Sequence, residues 1–305
     1  MQPSYTLKQL RTFVKVAQSG SVSETAESLH ISQPAVSMQL RQLEESFAVA
    51  LFRPQGRGIA LTPAGEALLA YCLQVMASLK DLESVMAEHA GAHRGRICLG
   101  IVSTAKYFVP KVLAAFNQAY PEIEVSLVID NKEAVFHQLK TQAVDLVISG
   151  RVPANLACEA LRFADNPLCF VAHPEHALFE QKTPLSLTQL AEYPFIIREP
   201  GSGTRDRLES LFADRDLPLK VALSFPSNEV IKHAVMAKMG ITYLSRLTLN
   251  KELKHGYLQE IKTQEPAYVG SWQVVHLTSH QLSPALMLFR QFLCDQGQHL
   301  IEQAD

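Results

Sequence analysis

A stretch near the beginning of the chain, residues 31–47, carries polar side chains that could contact nucleic acid. Its apolar residues Val36, Leu40, Leu43 and Phe47 are four, three and four positions apart, which places them on one face of a helix. The opposite, solvent-facing side would carry Ser32, Gln33, Pro34, Ser37, Met38 and Arg41. Amide, hydroxyl and guanidinium groups on such a face suit base edges and phosphates. An ordinary amphipathic surface helix has the same pattern, so the neighbouring residues must decide.

The residues before this helix favour DNA contact. An apolar stripe from Leu7 to Ala17 predicts another helix, and Gly20 suits its left-handed cap. Ser21 with Glu24 three residues later has the pattern of a capping box, which would begin a short helix. Helix, short helix, tight turn and outward-facing helix within about fifty residues is typical of a helix-turn-helix unit, whose second helix enters the major groove.

A basic turn follows this unit. Residues 56–58, with Arg57 at the centre, lie between two apolar segments, 50–52 and 59–61, and this pattern predicts a hairpin. Beside a helix-turn-helix, a basic hairpin is typical of a DNA-contacting wing, in which Arg57 would reach the phosphate backbone. A plain surface hairpin is the alternative.

The charge distribution also favours DNA contact by the first part of the chain. The first 65 residues carry six basic and four acidic side chains, whereas the whole chain has a net charge of −2. A slightly basic head on an acidic body fits a protein in which the head alone touches nucleic acid. Because one head can neutralise few phosphates, we expect weak binding by a single copy and therefore a dimer on double-stranded DNA.

A long helix is predicted after the hairpin, beginning at Thr62 and Pro63. Its apolar residues are alternately four and three positions apart, at Leu68, Cys72, Val75, Leu79, Leu82 and Met86. At about 1.5 Å per residue the helix would be roughly 40 Å long, too long to bury this heptad seam on the small head. A partner helix is expected, and packing on the chain's own second domain is the alternative.

Seven short segments of the first 65 residues occur in a characteristic order. They are Leu7-Lys8-Gln9-Leu10-Arg11-Thr12-Phe13, Gly20-Ser21-Val22, Ala26-Glu27-Ser28-Leu29, Ser32-Gln33-Pro34-Ala35-Val36-Ser37, Leu43-Glu44, Leu51-Phe52 and Leu61-Thr62-Pro63-Ala64-Gly65. This order resembles the head of a LysR-type transcriptional regulator. Two positions depart from the family pattern. Met38 stands where a basic residue is usual, and Pro54 stands where arginine is usual. Arg53 lies one place earlier, from where the resemblance implies that it reaches the DNA backbone by a different route.

The resemblance implies three parts: an all-α winged helix-turn-helix DNA-binding domain (1–62), a linker and dimerisation helix (63–93), and an α/β two-lobed effector domain similar to periplasmic binding proteins (94–305). Lobe I would comprise residues 94–165 and 269–305, and lobe II residues 166–268. The resemblance also implies a homodimer or homotetramer that binds an operator and a small-molecule effector. RNA polymerase is a further expected partner.

Composition argues against several other classes. No apolar run approaches the roughly 18 residues of a membrane span, and no signal peptide is present, so we expect a cytoplasmic protein without a membrane partner. Five scattered cysteines without a Cys-x-x-Cys pair favour reduced thiols. The pairs His89/His93 and His276/His280 have no third ligand nearby, which favours solvated or packed histidines over a metal site. No cofactor is expected, because phosphate-loop glycine motifs are absent.

Strand and helix patterns alternate from residue 95 onward. Strands at 97–102, 123–129 and 145–149 with helices at 109–119 and 133–141 predict a βαβαβ unit with a parallel sheet. A second cycle is predicted with strands 168–172, 195–197, 221–225, 241–244 and 271–277 and helices 204–214, 228–236 and 284–296. Two such lobes leave a cleft between them, where ligands bind beyond the carboxyl ends of the strands.

The predicted strand ends carry small and polar residues that suit an anion. The residues concerned are Ser103, Thr104, Asn131, Gly150, Ser202, Gly203, Thr204 and Arg205. A Gly-rich turn before a helix exposes backbone amides at the positive end of the helix dipole, and Arg205, with Arg198 nearby, would add charge. We therefore predict a cleft site for a small anionic metabolite. A tight turn without a ligand is the alternative.

The opening segment 2–7, the helix segment 33–40 and the turn 198–205 resemble most the CbbR subgroup of LysR-type regulators, which control Calvin-cycle carbon-fixation genes. The resemblance thus implies a regulator of RuBisCO genes, although a LysR-type regulator of another operon is an alternative. A two-lobed solute-binding protein or enzyme with an accessory head is a third interpretation. No histidine paired with a nucleophile and no carboxylate pair is found among the cleft candidates, so we expect no enzymatic activity.

Overall fold

The computed structural model describes residues 5–56, 58–89, 95–181, 183–266 and 268–303. The chain separates into two compact units, Met1–Glu83 and Ser84–Asp305. None of the described helices combines the length and the apolar character needed to cross a lipid bilayer. All five cysteines are free thiols in the structure.

Three helices form the core of the first unit: α1 (Leu7–Ser19), α2 (Val22–Ser28) and α3 (Gln33–Phe47). The end of α1 is confirmed, since Gly20 adopts the left-handed conformation with φ of +66°. The capping box predicted for α2 is only half formed. Ser21 accepts a 3.3 Å hydrogen bond from the Glu24 amide, but the Ser21 amide donates to Ser19 Oγ at 3.2 Å.

Two antiparallel strands form the wing, β1 (Phe52–Gln55) and β2 (Gly58–Leu61). The first strand begins later than predicted, so Ala50 precedes it. The wing is fastened to the end of α1, because the Ile59 amide donates to the Gly20 carbonyl at 3.1 Å. A β-carbon at Gly58 would lie 2.8 Å from the same carbonyl oxygen, so this approach requires glycine.

The long helix α4 (Pro63–His89) begins against the wing. Thr62 Oγ1 caps it by accepting from the Gly65 amide at 3.1 Å, and a β-carbon at Gly65 would lie 2.2 Å from the Leu51 carbonyl oxygen. The predicted heptad seam of α4 has a buried first part and an exposed second part. Its first members, Leu68 and Cys72, pack on the hydrophobic core of the head, as do the off-seam residues Leu69, Leu73 and Met76. The later members Val75, Leu82 and Met86 are exposed.

The second unit begins with the predicted βαβαβ arrangement, which is confirmed. Its elements are β3 (Gly95–Val102), α5 (Val109–Ala119), β4 (Ile123–Asp130), α6 (Lys132–Lys140) and β5 (Leu146–Ser149). The strand β3 lies between β4 and β5 and is parallel to both. We call this part, with the strands it pairs with, lobe I.

Lobe II follows a long strand, β6 (Cys158–Ala172). Its elements are α7 (Leu187–Leu190), β7 (Phe195–Arg198), α8 (Gly203–Ala213), β8 (Val221–Phe225), α9 (Asn228–Met236), β9 (Thr242–Ser245), α10 (Asn250–Lys254) and β10 (Gln259–Glu260). The chain then returns through β11 (Val269–Leu277) to the closing helix α11 (Pro284–Glu302). The short elements α7, α10 and β10 are absent from the sequence-based prediction.

The strands β6 and β11 connect the two lobes. Among the described residues, seven strands form a sheet in the order β10-β6-β11-β5-β3-β4, with β9 also paired to β6. The antiparallel pair β6 and β11 spans Val269 opposite Pro167 to Leu277 opposite Cys158. The strand predicted from the sequence, 168–172, therefore covers only the last five residues of β6. Trp272 lies in the lobe I core, whereas Phe170 lies in that of lobe II.

Candidate DNA-binding surface and effector cleft

The outer face of α3 is exposed as the sequence predicts. The exposed side chains are Ser32, Gln33, Pro34, Ser37, Met38 and Arg41. Val36 and Leu43 are fully buried on the opposite face. Phe47 is the exception to the predicted apolar stripe, because it is 36% exposed and packs on Tyr5, with ring centroids 4.9 Å apart. Ser32 caps the helix by accepting from the Ala35 amide at 3.4 Å.

Polar contacts hold α3 against α1. Thr12 Oγ1 donates to Gln39 Oε1 at 2.7 Å, and Gln9 Nε2 donates to Gln42 Oε1 at 2.9 Å. Since Thr12 is buried, its hydroxyl requires this partner. These bonds fix the rotation of α3 about its axis and thereby fix which residues face outward.

Glu44 joins α3 to the wing, a role that the sequence-based prediction missed. Its Oε1 accepts from the amides of Leu51 at 2.7 Å and Phe52 at 3.3 Å. A carboxylate that accepts two backbone amides makes charge-assisted hydrogen bonds. The orientation of the wing relative to α3 therefore depends on this side chain.

The two positions that depart from the family pattern are both exposed. Met38 is 57% exposed in the centre of the outer face, where an apolar side chain suits the methyl group of thymine. Pro54 is exposed on β1 opposite Ile59, and the neighbouring Arg53 is exposed opposite Ala60. Arg57, predicted at the tip of the wing, lies outside the described residues.

A cleft of about 590 Å³, partly open to solvent, lies between the lobes of the second unit. Seven of the eight residues predicted for the effector site line it. They are Ser103, Thr104, Asn131, Gly150, Ser202, Gly203 and Thr204. These residues follow β3, β4, β5 and β7 in the chain, so the carboxyl ends of strands form the cleft as expected.

Arg205 does not line the cleft, so the charge assigned to it there is wrong. Its Nε donates to Glu209 Oε1 at 2.7 Å, and its Nη1 donates to the Ser224 hydroxyl at 3.4 Å. Residues two apart on an α-helix point about 200° away from each other. Arg207 therefore lies on the opposite face of α8 from Arg205. Arg207 lines the cleft with Gly203, one turn earlier in α8.

Four basic side chains line the cleft: Lys132, Arg151, Arg198 and Arg207. The described lining includes no aspartate or glutamate. Lys132 and Arg207 were missed from the sequence, although the spacing of Gly203 and Arg207 indicates a shared helix face. An excess of positive charge in a recess favours an anionic ligand.

Arg198 is the most buried of these four, at 2% exposure. Its guanidinium donates to Ser103 Oγ at 2.9 Å and to Asn228 Oδ1 at 2.8 Å. It also pairs in a bidentate manner with Glu199, at 2.7 and 2.8 Å. Arg198 therefore links lobe II to the end of β3 in lobe I, with its charge balanced by a neighbouring carboxylate.

Two hydroxyls that line the cleft make no side-chain hydrogen bond among the described residues. Thr104 and Ser202 are both buried, and although Ser202 precedes α8 its side chain makes no capping bond. Asn131 differs, because its Oδ1 caps α6 by accepting from the Ala134 amide at 2.9 Å. The first amides of α6 and α8 have no acceptor within their own helices, so both helix starts favour an anion nearby.

One rim of the cleft is closed by contacts between α6 and the start of α8. Lys132 forms an ion pair with Asp206, and the Glu133 amide donates to the Gly201 carbonyl at 3.3 Å. Gly201 has φ of +83°, and a β-carbon there would lie 2.8 Å from Glu133 Oε2. This turn therefore requires glycine both for its backbone conformation and for the close approach.

A further contact between the lobes joins Tyr107 of lobe I to Glu229 of lobe II, because the Tyr107 hydroxyl donates to the Glu229 carboxylate. Lys232 Nζ lies 3.0 Å from Glu229 and 2.9 Å from Glu252, and it is buried. Burial opposes ionisation of Glu229, but the hydrogen bonds from Tyr107 and Lys232 outweigh it and lower the pKa of the carboxyl. Burial, together with the bond to Glu229, raises the pKa of the Tyr107 phenol.

Two family descriptions match the chain. "Bacterial regulatory helix-turn-helix protein, lysR family" matches residues 7–66, and "LysR substrate binding domain" matches residues 90–298. The chain belongs to the LysR family of transcriptional regulators. Its first unit is accordingly a DNA-binding helix-turn-helix domain, and its second is the family's effector-binding domain.

Named relatives align with this LysR-family protein over nearly its whole length. The RuBisCO operon transcriptional regulator of Allochromatium vinosum is 36% identical over 96% of this chain and 96% of its own. The regulator CfxR of Cupriavidus necator is 38% identical over 95% of this chain and 91% of its own. The chain therefore aligns with these regulators from the DNA-binding head through the effector domain.

Solved structures share the fold of this LysR-family protein. The regulatory domain of Synechocystis CcmR, in complex with 2-PG, is 37% identical and covers 66% of this chain and 97% of its own, with a TM-score of 0.63. A full-length OxyR variant from Pseudomonas aeruginosa covers 94% of each chain with a TM-score of 0.74. At 18% identity, OxyR supports the fold alone.

Proposed function

We propose that this LysR-family regulator controls a carbon-fixation operon and responds to a small anion bound in its cleft. The observation that carries the proposal is its identity of 36–38% to RuBisCO operon regulators along nearly the whole chain. Because the similarity includes both the DNA-binding unit and the effector domain, it bears on operator choice as well as on effector choice.

The chemistry of the cleft supports an anionic effector. Arg151 and Arg207 face it without a carboxylate among the described lining, and the Thr104 and Ser202 hydroxyls line it without side-chain hydrogen bonds of their own. A phosphate or carboxylate group would supply acceptors for all four side chains. The complex of CcmR with 2-PG makes 2-PG the first compound to test.

The effector acts by favouring one arrangement of the lobes. A ligand shifts a conformational equilibrium only by the difference between its affinities for the two states. Here a ligand bonded to Ser202 of lobe II and Thr104 of lobe I would favour the closed cleft. The spacing of two DNA-binding heads would change in turn, which links effector concentration to operator affinity.

The proposal includes assembly through α4. Val75, Leu82 and Met86 form an exposed apolar row on this helix, and a second copy of α4 would cover it. A homodimer places two heads on one operator, and a homotetramer would join two such dimers. Contact of the DNA-bound assembly with RNA polymerase then alters transcription.

We assign no catalytic step to the cleft. Its described lining contains no histidine, cysteine or carboxylate that could act as a base or nucleophile. A turnover screen with phosphorylated metabolites checks this assignment, and product formation at the cleft would contradict it.

Sequencing of the DNA bound to the protein in cells tests the regulatory proposal. We expect binding upstream of genes for carbon fixation, and we expect these sites to be lost in a variant with Gln33→Ala and Ser37→Ala. Binding confined to the promoters of a different metabolic operon would overturn the carbon-fixation assignment and leave the family membership intact.

A further inference from the structure

Met38 lies near the centre of the exposed face of α3. The buried side chains of this helix are Val36, Leu40 and Leu43. At about 100° per residue these three point in nearly one direction, and Met38 projects about 165° from it. Ser37 and Arg41 project only about 95° and 135° from the same direction. In the middle of α3, Met38 therefore points almost straight away from the core of the head.

The exposure of Met38 agrees with this placement. The residue is 57% exposed, compared with 39% for Leu7 and 36% for Phe47, the other exposed large apolar residues of the described helices α1 to α3. A single exposed methionine on a protein surface would need no explanation. This one lies on the face that a helix-turn-helix protein directs into the major groove, so its chemistry bears on base recognition.

The side of Met38 nearer to α1 is fixed by hydrogen bonds between the two helices. Gln39 Oε1 accepts from Thr12 at 2.7 Å, and Gln42 Oε1 accepts from Gln9 at 2.9 Å. These two oxygens are engaged by α1, and the rotation of α3 that they set keeps Met38 outward.

Pro34 extends the apolar surface by one turn. It lies four residues before Met38 and is exposed, and residues four apart are neighbours on a helix surface. Ser37 and Arg41 lie beside this pair and are also exposed. The outer face of α3 thus has an apolar ridge, formed by Pro34 and Met38, next to a row of polar side chains.

A methionine side chain can contribute to base recognition in few ways. It has no hydrogen-bond donor and its sulfur is a weak acceptor, so it cannot make the paired bonds with which arginine identifies guanine or glutamine identifies adenine. It can cover an apolar group, and its three rotatable bonds let it adapt to that group. Among the base edges of the major groove, the C5-methyl of thymine is such a group.

We propose that Met38 is a specificity-determining residue that reads the C5-methyl group of one thymine in the DNA that α3 contacts. Contact with the methyl group, and not a hydrogen bond, selects the base at this position. Cytosine that carries a C5-methyl group would therefore satisfy Met38 in place of thymine. The proposal rests on DNA binding by the helix-turn-helix domain and does not depend on which operon is controlled.

Replacement of thymidine by deoxyuridine tests the contact, because deoxyuridine keeps base pairing and every hydrogen-bonding group and lacks only the C5-methyl. A duplex that the full-length protein selects from random DNA serves as the probe, and each thymidine in it is replaced in turn. Fluorescence anisotropy measures the Kd. We expect replacement at one position under α3 to raise the Kd of the wild type by about three- to five-fold, as loss of one buried methyl group predicts.

This response should disappear when Met38 is truncated. In Met38→Ala the same replacement should change the Kd by less than about 1.5-fold, and the salt dependence should stay as in the wild type because no phosphate contact is lost. Met38→Leu keeps an apolar side chain and should retain the response. Met287→Ala, at an exposed methionine of α11, is the matched control and should respond as the wild type does. Alanine favours a helix, so Met38→Ala should fold.

Methylated cytosine provides a second measurement. At the responsive position, the T·A pair is replaced by a C·G pair with or without a C5-methyl group on the cytosine. We expect the wild type to bind the methylated duplex about three-fold more tightly than the unmethylated one. Met38→Ala should bind the two duplexes equally.

Three outcomes would overturn the assignment. If no deoxyuridine raises the Kd of the wild type, α3 contacts no thymine methyl group. If a replacement raises the Kd by the same factor in wild type and Met38→Ala, a different side chain contacts the methyl group. If Met38→Ala lowers the mass in light scattering, the side chain belongs to a contact between copies of the chain. Binding in cells at a different operon would overturn the carbon-fixation proposal, while the deoxyuridine measurements would still decide the role of Met38.

Discussion

The guanidinium of Arg198 lies 2.9 Å from the hydroxyl of Ser103, and this hydrogen bond joins the two lobes at the floor of the effector cleft. The same guanidinium is held by Asn228 and by Glu199 within lobe II. A buried arginine with a paired carboxylate thus contacts lobe I. This contact belongs to the closed arrangement of the lobes, which is the arrangement that the effector would favour.

Replacement of Arg198 by lysine should destabilise the effector domain. An ammonium group cannot reach Glu199, Asn228 and Ser103 at once, because it lacks the planar fork of the guanidinium. We expect the free energy of unfolding in urea to fall by about 2 to 4 kcal/mol. The control is Arg205→Lys, whose partner is a surface glutamate, and which should cost less than about 0.5 kcal/mol. Equal losses would contradict the role of Arg198.

Removal of the Arg207 charge should weaken binding of the effector. Arg207→Gln takes away a charge-assisted contact, for which we expect a loss of roughly 1.5 to 3 kcal/mol in the binding free energy of 2-PG. Arg205→Gln on the same helix is the matched control and should change the affinity less than two-fold, since Arg205 faces away from the cleft. Calorimetry measures the affinity of both variants for 2-PG. A larger loss of affinity for the Arg205 variant would restore the sequence-based assignment of Arg205 to the effector site.

The exposed face of α3 and the wing should affect DNA binding in different ways. Gln33→Ala removes a base contact, so we expect the preference for operator over random DNA to fall by ~1 to 3 kcal/mol. Arg53→Ala removes a phosphate contact and should weaken both DNAs alike, with a salt dependence reduced by about one unit. Fluorescence anisotropy at several salt concentrations measures both. Identical behaviour of the two variants would refute the distinction.

Charge on the exposed part of α4 should disrupt assembly. Leu82 is 55% exposed and Leu79 half-buried, and glutamate at both positions would place two charges in a desolvated helix pair. We expect a lower mass in light scattering and weaker operator binding. Gln74→Glu, on an exposed position outside the seam, is the control. An unchanged mass together with unchanged operator affinity would exclude a helix pair at this seam.

Acid should weaken the contact between Tyr107 and Glu229 that joins the lobes. The pKa of Glu229 is lower in the folded protein than its ordinary value of 4.5, because the bonds from Tyr107 and Lys232 outweigh burial. A depressed carboxyl pKa contributes stability above about pH 4.5, and this contribution is lost as the pH falls through the folded value. Urea unfolding at pH 7 and pH 4 should show a smaller pH dependence for Glu229→Gln. Equal slopes for both proteins would contradict this.

Much of the fold could be predicted because local patterns decide it. The bounds of α5, β8 and α9 agree with the sequence-based prediction, since each has a clear period of apolar residues and a turn at either end. The outward face of α3 was predicted for the same reason. Its apolar stripe must face a core, so its polar side is exposed whatever the rest of the chain does.

The sequence alone therefore determined the head, the order of strands and helices, and the small polar residues at the strand ends. Tertiary structure decided which charges meet. The strand β6 extends to Cys158 because β11 pairs with it, although Pro167 and a polar first half weaken its local signal. Arg205 and Arg207 are close in sequence, but the packing of α8 on lobe II turns only Arg207 toward the cleft. Rotation of a helix and long-range pairing depend on contacts between distant residues, which no local pattern contains.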